Sequence, residues 1–302
     1  MAVMTRGLFD VQTTRAGLKK VYFMELSQLR ELYPVVFNIS SSDRGFEDYI
    51  KTSGLGRMSV LQENENIPYD DAVEGDRVTV AHTYYGLGYQ ASRFLFDDAM
   101  YPTVKKMTEA LARSVRYEQE VQAWALINDA DAGATFTGFD GLPLIDDAHT
   151  LLKETGTTFD NRLAADLSAS SLQSAIDIFA TQVDDSNFNV ALEPRLLLVP
   201  AQNRWTAATL TESAFDPEAA NNAINPLKDV GLSWFAAPFI TDTDSFFVLS
   251  EKSMHDLMFI WRLRPETEDE VDFDTKALKF SAIQRFSVHF NEFRGVVGSM
   301  GV

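Results

Sequence analysis

The feature that most constrains the fold is a long acidic loop between two short strand-like runs, which leads into a long helix. Residues 63–76 read Glu-Asn-Glu-Asn-Ile-Pro-Tyr-Asp-Asp-Ala-Val-Glu-Gly-Asp, with few apolar side chains to pack against one another. Such a segment buries too little apolar surface to offset the entropy cost of ordering it. We therefore expect an extended arm that becomes ordered on a neighbouring molecule. That indicates an assembling protein rather than an enzyme with a single cleft.

The segments on either side of this loop are periodic. Residues 58–61 and 77–87 alternate between apolar and polar side chains, as β-strands do. Residues 102–128 carry apolar side chains at every third or fourth position, which predicts one long amphipathic helix with Val104, Met107, Leu111 and Val115 in its stripe. About 28 residues at 1.5 Å each make a rod of roughly 42 Å, longer than most globular cores require.

The remaining elements mix helices and strands, so the predicted fold class is α+β. A first helix is predicted around Leu18, Tyr22, Leu26 and Leu29, followed by a strand at residues 35–39. Beyond Gly141 the predicted order is a helix at 167–183, a buried strand at 195–200, a helix at 202–213, a polar loop at 216–225, and strands at 233–237 and 245–249. The C-terminal part is predicted as a strand at 258–261, an acidic turn at 265–274 and one long edge or hairpin strand at 277–293.

Charge and composition exclude several functional classes. The net charge of −18 and the absence of a basic cluster argue against direct nucleic-acid recognition, which needs clustered Lys and Arg. Because the chain has no cysteine, disulfides, thiolate zinc sites and thiol nucleophiles are excluded. No apolar run approaches the length of a membrane span, and the first residues contain no secretory apolar region. Like charges oppose self-association, so any assembly must depend on apolar, shape-matched contacts.

No residue pattern points to a catalytic, cofactor or metal site. The four histidines lie far apart, and no zinc-protease, P-loop or nucleophile-elbow motif is present. We interpret the adjacent carboxylate pairs as solvated charge and helix caps, although any pair has the chemistry to bind a hard cation. The densest acidic cluster is either a solvated turn or a contact for arginines or a cation of another subunit. With its flanking arginines it comprises Arg262, Arg264, Glu266, Glu268, Asp269 and Glu270.

Three groups of residues together carry a resemblance to a known family. They are residues 139–144 with His149, Asn161 and the helix start at Leu167 and Ser168; residues 193–200 followed by Ala207 and Ala208; and residues 271–275 with residues 285–286 and 293–295. In order and spacing they resemble the major capsid protein of tailed bacteriophages, with the Hong-Kong-97-like fold, and in particular the Mu-like major head subunit branch. The resemblance covers residues 45–300, and its specificity lies in the joint order of the groups rather than in one motif.

The resemblance implies a division of the chain into five parts. These are an N-terminal arm (1–45), an extended E-loop with flanking strands (46–96), a peripheral domain with a long spine helix (97–145), an axial domain (146–256), and a return to the peripheral domain (257–302). The implied function is a non-enzymatic structural role, self-assembly into the icosahedral shell that encloses the double-stranded DNA genome of the virion. Assembly is expected in the host cytoplasm, without a cofactor or a membrane. The implied partners are further copies in hexamers and pentamers, a scaffolding protein, a portal and a reinforcing decoration protein.

Two sets of charged residues are predicted to make contacts between subunits. On the E-loop they are Arg57, Glu63, Glu65, Asp70, Asp71 and Arg77, whose charges are expected to orient the loop or to pair with a neighbouring subunit. At the tip of the peripheral domain, near three-fold contacts, they are Arg262, Arg264, Glu266, Glu268, Asp269 and Glu270.

The sequence departs from the family pattern at the E-loop. Some relatives weld subunits through a bond between an E-loop lysine and an asparagine, but residues 57–81 contain no lysine. We therefore expect a shell that is held together non-covalently. Because the sequence begins almost directly at the arm, we also expect a separate scaffolding protein and little maturation cleavage.

Two other functions remain open from the residues alone. An encapsulin-like nanocompartment shares the fold but encloses cargo enzymes, and the sequence marks no groove for a cargo peptide. An acidic soluble hydrolase is the alternative of another class; it would use a carboxylate pair in a pocket and form at most a small oligomer. Particle size and contents distinguish the two shells, and electron microscopy distinguishes both from the hydrolase.

Overall fold

A computed structural model describes residues 6–97, 101–153, 156–215 and 224–301. The helices in this part are α1 (Arg6–Gln28), α2 (Arg93–Asp97), α3 (Tyr101–Asn128), α4 (Ala169–Thr181) and α5 (Arg204–Glu212). The strands are β1 (Asn38–Ser41), β2 (Phe46–Thr52), β3 (Glu74–Ala81), β4 (Thr83–Ala91), β5 (His149–Thr150), β6 (Thr158–Phe159), β7 (Arg162–Leu163), β8 (Pro194–Pro200), β9 (Ser233–Ala237), β10 (Phe246–Ser250), β11 (Met258–Val271), β12 (Leu278–His289) and β13 (Val296–Ser299). The mixture confirms the α+β class.

The first layer is a four-stranded sheet in the order β1-β11-β12-β4. β11 and β12 form a long antiparallel hairpin, β4 runs antiparallel to β12, and the short β1 runs parallel to β11. Helices α1 and α3 pack together on this sheet, because their apolar stripes face one another and β12. The buried side chains of this contact are Leu18, Tyr22, Leu26, Val104, Leu111, Val115, Phe280 and Ala282.

The second layer is a five-stranded sheet in the order β7-β13-β10-β8-β9. Helices α4 and α5 cover it through a cluster of buried apolar side chains that includes Leu172, Phe179, Val199 and Ala207. The start of α4 is fixed by a capping box, in which the Ser168 side chain accepts from the Ser171 backbone N–H and the Ser171 hydroxyl bonds the Ser168 backbone N–H. A buried central position for β8 agrees with its continuous apolar sequence.

A third cluster of buried side chains joins the two layers. The last turns of α3 contribute the fully buried Trp124, which lies within 6.4 Å of the Phe37 and Phe235 ring centroids. The indole N–H of Trp124 donates to the Glu120 carboxylate at 2.8 Å, and that carboxylate also accepts from the backbone N–H of Tyr33 at 3.1 Å. The C-terminal end of α3 therefore holds both sheets and the segment after α1 together.

Several sequence predictions are confirmed by these elements. They are the helix around residues 18–29, the long helix at 102–128, the helices at 167–183 and 202–213, and the strands at 195–200, 233–237 and 245–249. Residues 216–223 of the predicted polar loop lie outside the described residues.

Three strand predictions near the N-terminus are wrong in their bounds. Residues Tyr33–Val35 form a 3₁₀ turn, and the strand predicted at 35–39 begins only at Asn38. Residues 58–61 form no strand, because β2 pairs with β3 and no described strand lies opposite residues 58–61. The run at 77–87 is divided at the buried His82, which separates β3 from β4.

The C-terminal part differs most from the prediction. Residues 265–271 are not a turn but continue β11, and the turn of the hairpin lies after Val271. β12 is the predicted long hairpin strand, but it lies between β11 and β4 rather than at an edge. β13 pairs with β10, so the end of the predicted 257–302 unit belongs to the five-stranded sheet.

Candidate assembly surfaces

The loop at residues 53–73, which connects β2 to β3, is exposed to solvent over most of its length. Large apolar side chains on it are exposed to solvent: Leu55 (61%), Met58 (96%), Val60 (86%), Ile67 (65%) and Tyr69 (95%). No residue from 57 to 73 is buried. A loop with this many exposed apolar side chains is typical of a segment that buries them on another molecule. We call it the extended loop.

The base of the extended loop is held by hydrogen bonds between its two ends. The Ser53 N–H donates to the Val73 carbonyl, and the Val73 N–H donates to the Ser53 hydroxyl, each at 2.9 Å. Just outside these residues, Arg77 of β3 pairs with Asp48 of β2. The hydrogen bonds from Arg77 and Thr79 lower the pKa of Asp48. Arg77 thus supports the base of the loop within its own chain.

One of the predicted contact acids has a partner in the same chain. Asp70 pairs with Lys153 and accepts from the Gly56 N–H at 2.5 Å; these bonds, with Lys153 the stronger influence, lower the pKa of Asp70. A neighbouring subunit is therefore not needed to neutralise this residue. Lys153 instead tethers one point of the loop to the second half of the chain.

The other predicted loop residues remain open to solvent. Glu65 accepts from the Gln62 N–H at 2.7 Å and turns the chain at the far end of the loop. Within the described residues, the side chains of Arg57, Glu63 and Asp71 form no ion pair and are exposed. These three charges are available to another molecule.

A buried group of four charges fixes β2 to the body of the protein. Lys51 lies 3.0 Å from the Asp185 carboxylate and 3.1 Å from that of Glu292, and both carboxylates also pair with Arg294. Its positive and negative charges balance, which offsets much of the cost of burying them. The loop therefore projects from a rigid base. No local pattern in the sequence predicts this group, because its members are up to 243 positions apart.

The predicted tip residues lie along a strand instead of in a turn. Within β11, Arg264, Glu266, Glu268 and Glu270 alternate with half-buried neighbours and are exposed. Asp269 faces the other way and lies 2.8 Å from Lys19 of α1, and Arg262 lies 3.9 Å from Asp43. The predicted acidic turn is therefore wrong, and Glu266, Glu268 and Glu270 form one solvent-facing row along the hairpin.

The tip of the hairpin is residues 272–277, of which the predicted turn at 265–274 included only the first three. Asp272 pairs with Lys279 at 2.8 Å and accepts from the Asp274 and Thr275 N–H groups, each at 3.0 Å. These bonds, that of Lys279 first, lower the pKa of Asp272 well below its usual range. The tip presents Phe273, which is 84% exposed with the Lys276 ammonium 4.0 Å above its ring. An aromatic side chain on a fixed turn suits insertion into a pocket of another subunit.

The predicted family residue His149 belongs to a buried joint between the two halves of the chain. Its Nδ1 lies 2.6 Å from Asp140 Oδ2 and its Nε2 lies 3.1 Å from Asn161 Oδ1, and its ring stacks on Phe293 at 3.8 Å. The Asn161 amide donates to the Val296 carbonyl at 3.1 Å, which leaves its oxygen as an acceptor. Nε2 of His149 therefore donates to Asn161, and Nδ1 lies against the Asp140 carboxylate. Burial raises the pKa of Asp140, but the His149 hydrogen bond and charge outweigh it and lower that pKa overall.

The described residues combine exposed surfaces with buried joints that hold them in place. Among them, no group of three or more His, Asp or Glu side chains is arranged to hold a metal ion. None of the described helices is long and apolar enough to cross a membrane. The features that stand out are the extended loop, the aromatic tip and the buried joints that hold them in place.

Comparison with known proteins agrees with this arrangement. A family model described as "Phage capsid protein" matches residues 76–299. The fold is similar to the procapsid of bacteriophage JBD30, at 14% identity and a TM-score of 0.54, over 98% of this chain and 76% of that one. It is also similar to a chain of Mycobacterium phage Bobi (12% identity, TM-score 0.57, 91% of each chain) and to the capsid of cyanophage P-SCSP1u (11%, 0.57, 90% of this chain and 88% of that one). No curated protein sequence matches.

Proposed function

The chain belongs to the phage capsid protein family and is a major capsid protein of an icosahedral shell, and we propose that its extended loop and hairpin tip hold that shell together. The shell is the capsid of the virion, and the protein has a structural role. We further propose that the copies form hexamers and pentamers around double-stranded DNA, and that the chain has no enzymatic activity. The Mu-like branch stays a prediction.

The exposure of the extended loop supports this proposal most strongly. Five large apolar side chains on it are between 61% and 96% exposed, although the loop base is fixed by the Ser53–Val73 hydrogen bonds and the Lys51 charge group. In a monomer, a loop whose base is fixed and whose apolar side chains are exposed adds no stability to the fold. A closed shell of identical copies gains one contact per subunit from it.

The net charge of the chain defines what kind of contacts the shell needs. At −18, copies repel one another, so the apolar loop and Phe273 must outweigh this repulsion. Arg57 and the free loop acids then set orientation more than affinity. Many weak contacts per subunit together give a stable shell, because each one holds the partners of the next close by.

We propose that the remaining partners act around this shell. A separate scaffolding protein, a portal and a decoration protein are proposed on the family membership and on the absence of covalent chemistry in the loop. Because residues 57–81 contain no lysine and the chain no cysteine, the shell is proposed to be non-covalent. Assembly is proposed to take place in the host cytoplasm.

Electron microscopy of particles purified from infected or expressing cells tests the proposal. We expect closed shells whose DNA is protected from nuclease, and a single 33.8 kDa band after heating in detergent. A covalent ladder would contradict the non-covalent shell. Small shells filled with protein would indicate an encapsulin-like compartment, and a monomer without particles would remove the shell function altogether.

A further inference from the structure

β4 presents the longest open edge of the two large sheets. No described strand pairs with its outer side, and it has nine residues, whereas the other edge strands of these sheets have two to five. In an antiparallel pair, every second residue points both its backbone N–H and its C=O away from the partner. Such an edge is a template for one more strand.

A groove of about 930 Å³ runs beside this edge. On one side it is lined by residues 84–87 of β4, and on the other by residues 113–118 of α3 and the segment after α1. Its apolar lining includes Leu29, Leu32, Leu87, Val115, Tyr117 and Phe239. Leu87 and Tyr117 are 53% and 62% exposed, so the groove is open to an incoming side chain.

The extended loop contains a segment that fits both features. Residues 57–61 read Arg-Met-Ser-Val-Leu and make no backbone hydrogen bond within the described chain. In an extended strand, Met58 and Val60 point to the same side. Both are almost fully exposed in the isolated chain. The alternation that the sequence shows here is thus a strand pattern without a partner strand.

The charges of the two surfaces are complementary. Residues 53–73 carry four acids and one arginine. The groove is lined by Arg30, Arg113 and Arg116 and by Glu118 and Glu120, but Arg113 already pairs with Glu25 and Arg116 with Glu31, so Arg30 is the arginine left to meet the loop. Within the described residues Arg30 forms no ion pair and is exposed. In a chain of net charge −18, this groove is a favourable place for the acidic loop.

We propose that residues 57–61 of one copy add as a strand to the open edge of β4 in a second copy, with Met58 and Val60 in the groove. The proposal rests on the proposed shell function and names the surface that receives the extended loop. Backbone hydrogen bonds to the edge supply affinity, and the two side chains fix the register. The acids beyond residue 61 then lie toward Arg30.

Disulfide trapping in assembled particles tests this contact, because the chain has no cysteine of its own. Particles of a Val60→Cys, Leu87→Cys double variant are assembled in reducing buffer and then oxidised. We expect linked copies on a non-reducing gel, at multiples of 33.8 kDa, and monomer only from each single variant. Tyr85→Cys, two residues before Leu87 on the same face of β4 and also lining the groove, replaces Leu87→Cys if that variant fails to assemble.

A proline pair provides the second measurement. An added strand donates hydrogen bonds to the β4 edge from every second backbone N–H, and proline has no N–H to donate. Ser59→Pro and Val60→Pro are therefore expected to differ: one abolishes assembly and the other is tolerated. Both isolated chains fold normally, since residues 57–61 have no backbone bond to lose. The inference is overturned if particles form but position 60 is not cross-linked to the β4 edge. It is also overturned if the two proline substitutions have the same effect on assembly. Failure of the wild-type chain to form particles would instead overturn the shell function.

Discussion

Replacing two exposed side chains of the extended loop separates the stability of the subunit from that of the shell. Met58 and Tyr69 are 96% and 95% exposed, so the subunit gains almost nothing from them. The double variant Met58→Ser, Tyr69→Ser is therefore expected to change the free energy of unfolding of the isolated chain by less than about 0.5 kcal/mol.

The same change is expected to weaken the shell strongly. Burying a Met or aromatic side chain completely contributes about 1.5–3 kcal/mol each. Two such side chains give about 3–6 kcal/mol per loop contact, and 1.4 kcal/mol corresponds to a factor of ten in the dissociation constant. Each loop contact is thus expected to weaken by a factor of about 10² to 10⁴. Every subunit carries the change, so its effect is repeated around the shell.

Guanidinium titration with two readouts measures both quantities. Light scattering reports dissociation of the particle, and tryptophan fluorescence reports unfolding of the subunit. Met254→Ser is the matched control, because Met254 is 56% exposed but lies outside the loop. We expect the double variant to lower the dissociation midpoint and leave the unfolding midpoint unchanged. Equal dissociation midpoints for wild type and variant would refute the role of the loop.

Three further predictions concern the buried joints. Asp140→Asn is expected to lower the free energy of unfolding by about 3 kcal/mol at pH 7, because it removes the carboxylate that lies 2.6 Å from His149 Nδ1. The pKa of Asp140 is lowered in the folded protein, so this loss is fully present above the ordinary Asp pKa of about 3.9 and shrinks as the pH falls below it, which urea unfolding at several pH values measures. Burial, with the charge of His82, lowers the pKa of His289 to about 4, so the unfolded chain binds this proton first and stability falls by about 3 kcal/mol as the pH drops from 6.5 toward 4. Burial also lowers the pKa of His255 to about 4, which adds a similar loss over the same range, so His289→Gln is expected to remove about half of the slope. Lys51→Met leaves Arg294 as the one cation beside two buried carboxylates, and it is expected to lower the free energy of unfolding by about 3 kcal/mol in a urea titration. The control is Lys106→Met at an exposed position, which is expected to leave the urea midpoint unchanged.

Opposite results would contradict these three assignments. An Asp140→Asn cost that persists unchanged below pH 4 would show that the pair is not ionised. A His289→Gln profile as steep as that of the wild type would place the acid sensitivity elsewhere. A neutral Lys51→Met substitution would mean that the charge group does not fix β2.

Local periodicity was enough to predict most helices and the buried strands. The stripe that begins at Val104 continues over seven turns of α3, and the uninterrupted apolar run of β8 occupies the interior of a sheet. These elements are set by short-range patterns, which a single sequence contains. The long helix and the acidic loop before it were enough to indicate an assembling subunit.

The acidic stretch at 265–271 shows why composition alone misleads. Its many charges suggested a turn, yet the exposed residues Glu266, Glu268 and Glu270 alternate with half-buried Thr267 and Asp269. Alternation with a period of two is the signature of a strand, and here it outweighs the low strand propensity of glutamate and aspartate. The turn itself begins at Asp272, where the side chain caps the next backbone N–H groups.

The contacts that position the loop and the tip could not be predicted from the sequence. Lys51 meets residues far along the chain, and nothing local to it distinguishes it from a surface lysine. Similarly, the partner of Asp70 is Lys153, 83 positions away. The run at 58–61 is the opposite case, a clear strand pattern that finds no partner within the described chain.

Hydrogen exchange of residues 53–73, measured in the isolated chain and in the assembled shell, tests the central claim most directly. In the isolated chain we expect rapid exchange throughout residues 57–70, because they are exposed and make few backbone hydrogen bonds. In the shell we expect the same amides to be protected, residues 57–61 most strongly. Equal and rapid exchange in both states would contradict the claim that this loop holds neighbouring copies together.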